Sequence, residues 1–492
     1  MKRSQSVAHR SITSVTWNIA ANLVRIAVLF ARSVLLARLL PVDTFGVYAW
    51  AGAIVGLTML VAKFGMDGAF LHRAPESQDE TQAAAVHFTL SLIFSVIWTV
   101  LMVGISVFLT GQTRTALLVL TAARAGLMLV DTPRMILVRR VIHRRLALIV
   151  IINAIFSTLV AVGLAWSGAT LWALLSTDFV ALAVNILMLY VWRPVWRPRL
   201  GWSPPVVRYF LGFGSRNFLA QLLRRALDQV DDLWAGFYLG TTSLGYYSRA
   251  YTFATYPRQI LAVPLNTVTG GSYAELKESR KQLSQMFFRV NAFLVRSGFF
   301  LAGLLALVAP EFIRLFLGEK WLPMLGAFRL MLVFTLLDPI KTTVANLFVA
   351  VGKPEQVVRA RLVQLGVLAA GLYLLGLRLD IAGVALAVDV MLVVGMMILL
   401  WQARAYVDIS YRQLFLVPTL ALTLGLVLGY GLVELLGIQG SDWWTGLIKT
   451  VTFSGAYGLV FGALERQQIL EMVLWARSYF QKRREGELGV RS

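Results

Sequence analysis

The chain has 492 residues, of which 58% are hydrophobic and only 14% charged, and its mean hydropathy is +0.71. A soluble domain carries about 25% charged residues, so the composition excludes a water-soluble fold and reads as an all-α polytopic membrane protein. There is no cysteine, which excludes disulfides, thiolate metal sites and cysteine nucleophiles, and the net charge of +21 must be located before it can be assigned a partner.

A spanning helix needs ~20 mostly apolar residues. The basic segment 1–11 leads into a long apolar stretch with no small-residue cleavage site, which reads as the first transmembrane helix. The predicted spans run 12–37, 45–63, 84–110, 115–138, 146–168, 170–192, 209–238, 244–270, 287–309, 325–350, 362–378, 381–403, 413–436 and 443–464. Two of these are interrupted, the eighth by Pro257 and Pro264 and the tenth by Asp338-Pro339, so the count is about fourteen with twelve as the alternative. The linker 193–208, rich in Pro and Arg, separates an N-lobe (1–192) from a C-lobe (209–403). An extra pair of spans (404–464) and a basic tail (465–492) follow, and the tail reads as an amphipathic helix on the inner surface. Trp166, Trp172, Trp192, Trp196, Trp202, Trp443 and Trp444 sit at span ends, as an aromatic headgroup belt would.

Loops on the side shared with the N-terminus carry 29 Lys and Arg, and the opposite loops carry 5. That bias predicts both termini in the cytoplasm. It also accounts for much of the net charge, so nucleic acid is not expected as a partner. Twelve cations remain inside the spans: Arg25, Arg32, Arg124, Arg216, Arg224, Arg225, Arg249, Arg258, Arg296, Arg329, Lys341 and Lys449. A cation at the bilayer centre costs at least ~2.5 kcal/mol, so such residues face partners or water-filled space. Arg124 with Asp131, Asp338 with Lys341, and Arg224 or Arg225 with Asp228 have spacings that suit ion pairs. Arg329 and Lys449 lie near enough to span ends to snorkel, and Arg216 invites the same reading. The remainder imply a cavity for an anionic substrate. The four His (His9, His72, His87, His143) show no ligand spacing, and neither metal nor cofactor is expected.

A gapless shift of 199 residues lays 18–48 on 217–247 with eight of 31 positions identical, among them Asn18/Asn217, Arg25/Arg224, Gly46/Gly245 and Tyr48/Tyr247. In both copies an Asn precedes an Arg by seven residues and the span closes on L-x5-G-x-Y. Such parallel repeats place the substrate site of many transporters at their interface.

The stretch LLARLLPVDTFGVYAW (35–50) resembles the motif closing the first span of polysaccharide-transport proteins, the Wzx-type O-antigen and exopolysaccharide flippases. YLGTTSLGYYSRAYTFATYP (238–257), LFLGEKWLPM (315–324) and VAVGKPEQ (349–356) are similar to later stretches of that family. The resemblance implies the fold of the multidrug/oligosaccharidyl-lipid/polysaccharide exporter superfamily: two six-helix lobes around a central cationic cavity, here with two extra C-terminal helices. It also implies flipping of undecaprenyl-pyrophosphate-linked oligosaccharide across the bacterial inner membrane by alternating access. Polysaccharide polymerase and glycosyltransferases are implied as neighbours of a monomer in lipid.

Guanidinium groups take phosphate in a bidentate fork and stay charged in any environment. The candidate substrate contacts are therefore Arg25, Arg32, Arg224, Arg225, Arg249, Arg258 and Arg296, with Asn18, Asn22, Asn217 and Gln221 for the glycan. Asn266 and Thr267 are further polar candidates. Asn18, Asn22, Arg25 and Arg32 fall along one helix face. Candidates for cation coupling are Asp178, Asp228, Asp231, Asp232 and Asp389. A drug/cation antiporter of the same superfamily would instead need an acid-dominated cavity. A membrane glycosyltransferase would need an acidic base under a large external loop, and a non-transporting scaffold would leave the buried charge unexplained.

Overall fold

The structure, a computed structural model, describes residues 2–73, 80–435 and 441–466, and among these it is helical with no strand. Helix α1 (Lys2–Leu39) ends before Pro41, whose fixed φ of −63° starts α2 (Val42–Lys63). Left-handed Phe64 and Gly65 terminate α2 and turn the chain into short α3 (Met66–His72). Then come α4 (Glu80–Ser106), α5 (Gly111–Leu129) and α6 (Asp131–Arg139). The expected single span 115–138 is in fact α5 and α6 bent by 43° at Val130. α7 (His143–Trp166) and α8 (Thr170–Ile186) follow, α8 being extended by a π-turn over Leu187–Val191.

α9 (Pro204–Tyr238) opens on two prolines, whose missing N–H groups cost nothing in a first turn. α10 (Gly240–Leu276) is one continuous helix despite Pro257 and Pro264. α11 (Arg280–Phe312) leads through a π-turn and a short 3-10 segment into α12 (Leu325–Ala350), the 325–350 of the sequence, with Pro339 inside it. α13 (Pro354–Gly371) and α14 (Leu377–Ala403) are joined by a π-turn and break at Asp380 (φ 52°, ψ −140°). α15 (Tyr411–Leu435) and α16 (Asp442–Leu464) complete the order. Nine stretches among the described residues, ten with the bent pair, are long and apolar enough to cross a membrane. One of them, Pro354–Ala403, has 50 residues, more than twice a spanning length. The predicted amphipathic tail lies outside the described residues from 467 onward.

The chain forms two compact units, one of Met1–Arg249 with Leu368–Val384, the other of Ala250–Val367 with Ala385–Ser492. In the first, α1 packs on α7, and α2 is embraced by α4, α5, α8 and α9. Trp98, Met102, Leu117 and Leu120 fill one core there, and Phe70, Val86 and Phe210 another. In the second unit, α11 is the central helix, packed on α12, α15 and α16 around Phe287, Val295, Phe348 and Phe453. Trp166, Trp172, Trp192, Trp202, Trp443 and Trp444 are exposed, as a belt requires, whereas Trp196 is buried against Phe88 at 5.5 Å between ring centroids.

The sequence repeat has a physical counterpart within the first unit. A Cβ on Gly46 would lie 1.6 Å from the Thr241 carbonyl oxygen, and one on Gly245 would lie 2.3 Å from that of Val42. At the 199-residue offset Gly46 matches Gly245 and Val42 matches Thr241. The contact is therefore reciprocal, as across a two-fold axis. Each copy supplies one glycine and one carbonyl, and Thr241 Oγ1 also donates to the Asp43 carboxylate. Gly46→Leu should cost about 1–3 kcal/mol by overpacking, read as a lower midpoint of thermal unfolding in detergent. An unchanged midpoint would mean that the starts of α2 and α10 do not meet here.

Candidate functional site

The intramembrane cations divide into two classes according to what they touch. In the first unit Arg25 donates through Nε and Nη2 to Asn22 Oδ1 at 3.2 and 2.8 Å, one turn back along α1. Arg32 Nη1 donates to Ser157 Oγ on α7 at 3.1 Å. An amide orients the Arg25 guanidinium but does not cancel its charge, and among the described residues no carboxylate pairs with Arg25. On α9, Arg224 sits 4.0 Å from Asp228 with both side chains largely exposed, so this pair is loose. Arg225 and Gln221 beside it are exposed. The side chains of Asn18, Asn217, Asn266 and Thr267 lie outside those described.

In the second unit Asp338, inside α12, receives two cations. Lys341 Nζ lies 2.8 Å away one turn along, as its spacing predicts, and Arg258 from α10 donates to the other carboxylate oxygen. Both cations lie over the Phe334 ring, at 4.7 Å for Arg258 and 5.9 Å for Lys341. The triad carries one positive charge in excess, on side chains about a quarter exposed.

Other cations are closed off. Arg296, 8% exposed, forks onto both oxygens of Glu465 at 2.7 and 2.8 Å. Lys449 does not snorkel: it is buried and pairs with Glu311 at 2.6 Å. Arg329 donates to the Ala306 carbonyl at 3.1 Å and, at an exposed position, to Tyr430 Oη at 2.7 Å. Arg124 pairs with Asp178 on α8 at 2.6 Å rather than with Asp131, because Asp131 begins the bent α6 and is taken by Lys63. Arg249 lies 4.5 Å over the Phe45 ring, and exposed Arg216 donates to the Gly212 carbonyl of its own helix.

Among the candidate acids, Asp178 is thus occupied, and it also accepts from Tyr48 Oη at 2.9 Å. Buried Asp231 accepts from Tyr247 Oη at 2.6 Å through Oδ2, while its Oδ1 has no partner among the described residues. Asp232 adjoins it, half-buried, and buried Asp389 on α14 also keeps one oxygen without a partner among those residues.

The pairs on α11 form a pattern that spacing rules could not reveal. Arg314, just past α11, meets Asp442 at 3.0 Å; Glu311 meets Lys449; and Arg296 meets Glu465. The three rungs run antiparallel and alternate in sign, fastening α16 along α11. Glu311 and Glu465 were legible only as lone acids beside apolar spans.

The chain matches the family described as polysaccharide biosynthesis protein over residues 35–326. It is 25% identical over 329 residues to the succinoglycan biosynthesis transport protein ExoT of Rhizobium meliloti (strain 1021), covering 64% of each chain, and so under two thirds of that relative's length. It is 22% identical over 353 residues to the lipopolysaccharide biosynthesis protein WzxC of Escherichia coli (strain K12), covering 70% of this chain and 71% of that one. Among solved structures, the lipid II flippase MurJ in an inward closed conformation aligns with a TM-score of 0.73 at 16% identity, over 92% of this chain and 100% of that one, which shows a shared fold.

Removing one member of a buried pair strands the other charge. Lys449→Met should therefore destabilise the chain by about 3–5 kcal/mol, whereas the swap Lys449→Glu with Glu311→Lys should recover most of the loss. Thermal unfolding of the three chains in one detergent tests this, and equal midpoints would mean that the rungs do not hold α16.

Proposed function

We propose that this chain, which belongs to the polysaccharide biosynthesis protein family, is a member of the multidrug/oligosaccharidyl-lipid/polysaccharide exporter superfamily that flips a lipid-linked oligosaccharide across the bacterial inner membrane. The substrate in this reading is an undecaprenyl-pyrophosphate-linked glycan moved by alternating access. The chain crosses the membrane about fourteen times with both termini in the cytoplasm, and it acts as a transporter rather than an enzyme.

One observation carries the proposal: among the described residues no carboxylate pairs with Arg25, and Arg258 and Lys341 share the single carboxylate of Asp338. The triad of Arg258, Lys341 and Asp338 has a positive charge in excess, and Arg25 is held by an amide. Retaining a bare charge in apolar surroundings is costly, so an anionic ligand is the natural partner. Pyrophosphate suits it, since guanidinium binds phosphate oxygens in a planar fork and an ammonium adds a point charge. Asn22 and Gln221 supply amides for sugar hydroxyls. Arg224 and Arg225, exposed on α9, extend the cationic set, as does Arg32. Arg296 drops to a fastening role, since its fork is filled by Glu465. A carrier of cationic drugs would be served badly by such surroundings.

The test is reconstitution into proteoliposomes with a lipid-linked oligosaccharide, scored by glycan access from each leaflet. Arg25→Ala and Lys341→Ala should each slow crossing roughly tenfold or more, since a hydrogen bond to a charged group is worth about 1.5–3 kcal/mol. Arg314→Ala, at the exposed rung, should leave the rate within about twofold, as such pairs contribute little. No crossing by the folded native chain would favour a scaffold of the synthesis complex.

A further inference from the structure

The first unit contains a titratable cluster around a fully buried imidazole, with partly exposed Lys63 and Asp67, that the transport reading does not use. Lys63 Nζ, at the end of α2, lies 2.6 Å from Asp131 Oδ2 on α6 and 3.1 Å from Asp67 Oδ2 on α3. His87 on α4 is fully buried, with Nδ1 at 2.9 Å from Thr132 Oγ1 and Nε2 at 3.5 Å from Asp67 Oδ1. Thr132 is buried as well, and Phe70 and Phe210 close over the imidazole at 5.3 and 5.6 Å between ring centroids. Nε2 faces a carboxylate yet makes no hydrogen bond among the described residues.

Charge counting gives this arrangement a meaning. With a neutral imidazole, Lys63, Asp67 and Asp131 sum to one negative charge; a second ring proton brings the sum to zero and lets both ring nitrogens donate, Nε2 toward Asp67 Oδ1 and Nδ1 to Thr132 Oγ1. Other charged groups nearby are Arg73 at the end of α3, Arg139, whose guanidinium donates to the Phe70 and Arg73 carbonyls, and exposed Arg134. α9 contributes only aromatic surface to the imidazole. Lys63 already fills the space between the two carboxylates, which leaves no position for a metal ion. Burial pushes the Asp67 carboxyl up, but the opposing pull of His87 and Lys63 is stronger and holds it below the ordinary carboxylate range. Asp67 is thus a standing acceptor.

We propose that His87, with Asp67 as its counter-ion, is a proton-binding site that ties α3 to α4 when occupied. Five helices converge here, α6 being the bent half of its pair, so gaining or losing the proton changes how α3 and α6 are held. The proton site stands without any substrate; only its link to transport rests on the proposed function.

The chain has four histidines, so imidazole signals of histidine-labelled protein in detergent can be resolved by NMR, with His87→Gln giving the assignment. The expected result, with pH varied over the range in which the chain stays folded, is a His87 signal that gains a second ring proton as pH is lowered, in a manner altered in Asp67→Asn. A His87 signal constant over that range, or one indifferent to Asp67→Asn, overturns the proposal. If His87→Gln does not accumulate, single replacements of His9, His72 and His143 assign the His87 signal by elimination. Leaflet crossing is then scored against pH in native chain and His87→Gln. The same profile in both overturns the link to transport while leaving flipping intact. A titrating His87 in a chain that moves no lipid leaves the site standing and counts against flipping.

Discussion

A charge inside an apolar helix must be cancelled or put to use, and nearly everything distinctive about this protein follows from how each one is treated. Water would screen these groups; hydrocarbon does not, and an unpaired ion there stays costly. The chain cancels Arg124 with Asp178, Lys449 with Glu311 and Arg296 with Glu465, each at 2.6 or 2.7 Å. It leaves Arg25 on an amide and places two cations on Asp338. That contrast within one membrane protein separates cations closed into pairs with an acid of their own from cations held by an amide or sharing a single acid.

The repeat shows the same economy in the backbone. Gly46 and Gly245 are repeat mates, and each stands where the other copy's carbonyl leaves no room for a side chain. Gly383 obeys a similar steric demand, since a Cβ there would come 2.1 Å from the Leu375 carbonyl oxygen just beyond the Asp380 break. A weak identity across 31 positions thus becomes a statement about geometry, because the conserved pair is the one where two helix starts cross.

Helix existence was legible in the sequence because ~20-residue apolar runs have few alternatives in a membrane. Positions 325–350 and 443–464 reappear almost unchanged as α12 and α16. Bends were only partly legible: Pro257 and Pro264 leave α10 continuous, whereas Pro133, in the first turn of α6, stands four residues after Leu129 and breaks the helix into a 43° turn at Val130. Partners one turn apart, such as Asp338 with Lys341, could be read from spacing. Partners across helices could not, so Arg124 was matched to the wrong acid and Lys449 to the solvent. Glu465 lies 169 residues from Arg296, and no local rule connects them.

The three rungs between α11 and α16 bear on why the last two helices stay in place. Packing alone tolerates sliding, since one apolar helix face resembles the next turn of itself. Charges that alternate along α11 as Arg296, Glu311 and Arg314, met by Glu465, Lys449 and Asp442, do not tolerate it. A slip would uncover buried ions, and any larger one risks setting like charges face to face. Each of the two buried pairs, Arg296–Glu465 and Lys449–Glu311, yields little net stability against an apolar substitute of the same shape, yet breaking one is expensive, whereas the exposed Arg314–Asp442 rung contributes little. The ladder is therefore better understood as fixing register than as adding strength. It also explains why deep cations in the second unit serve structure at α11 and α16, while the excess positive charge lies elsewhere, on α10 and α12.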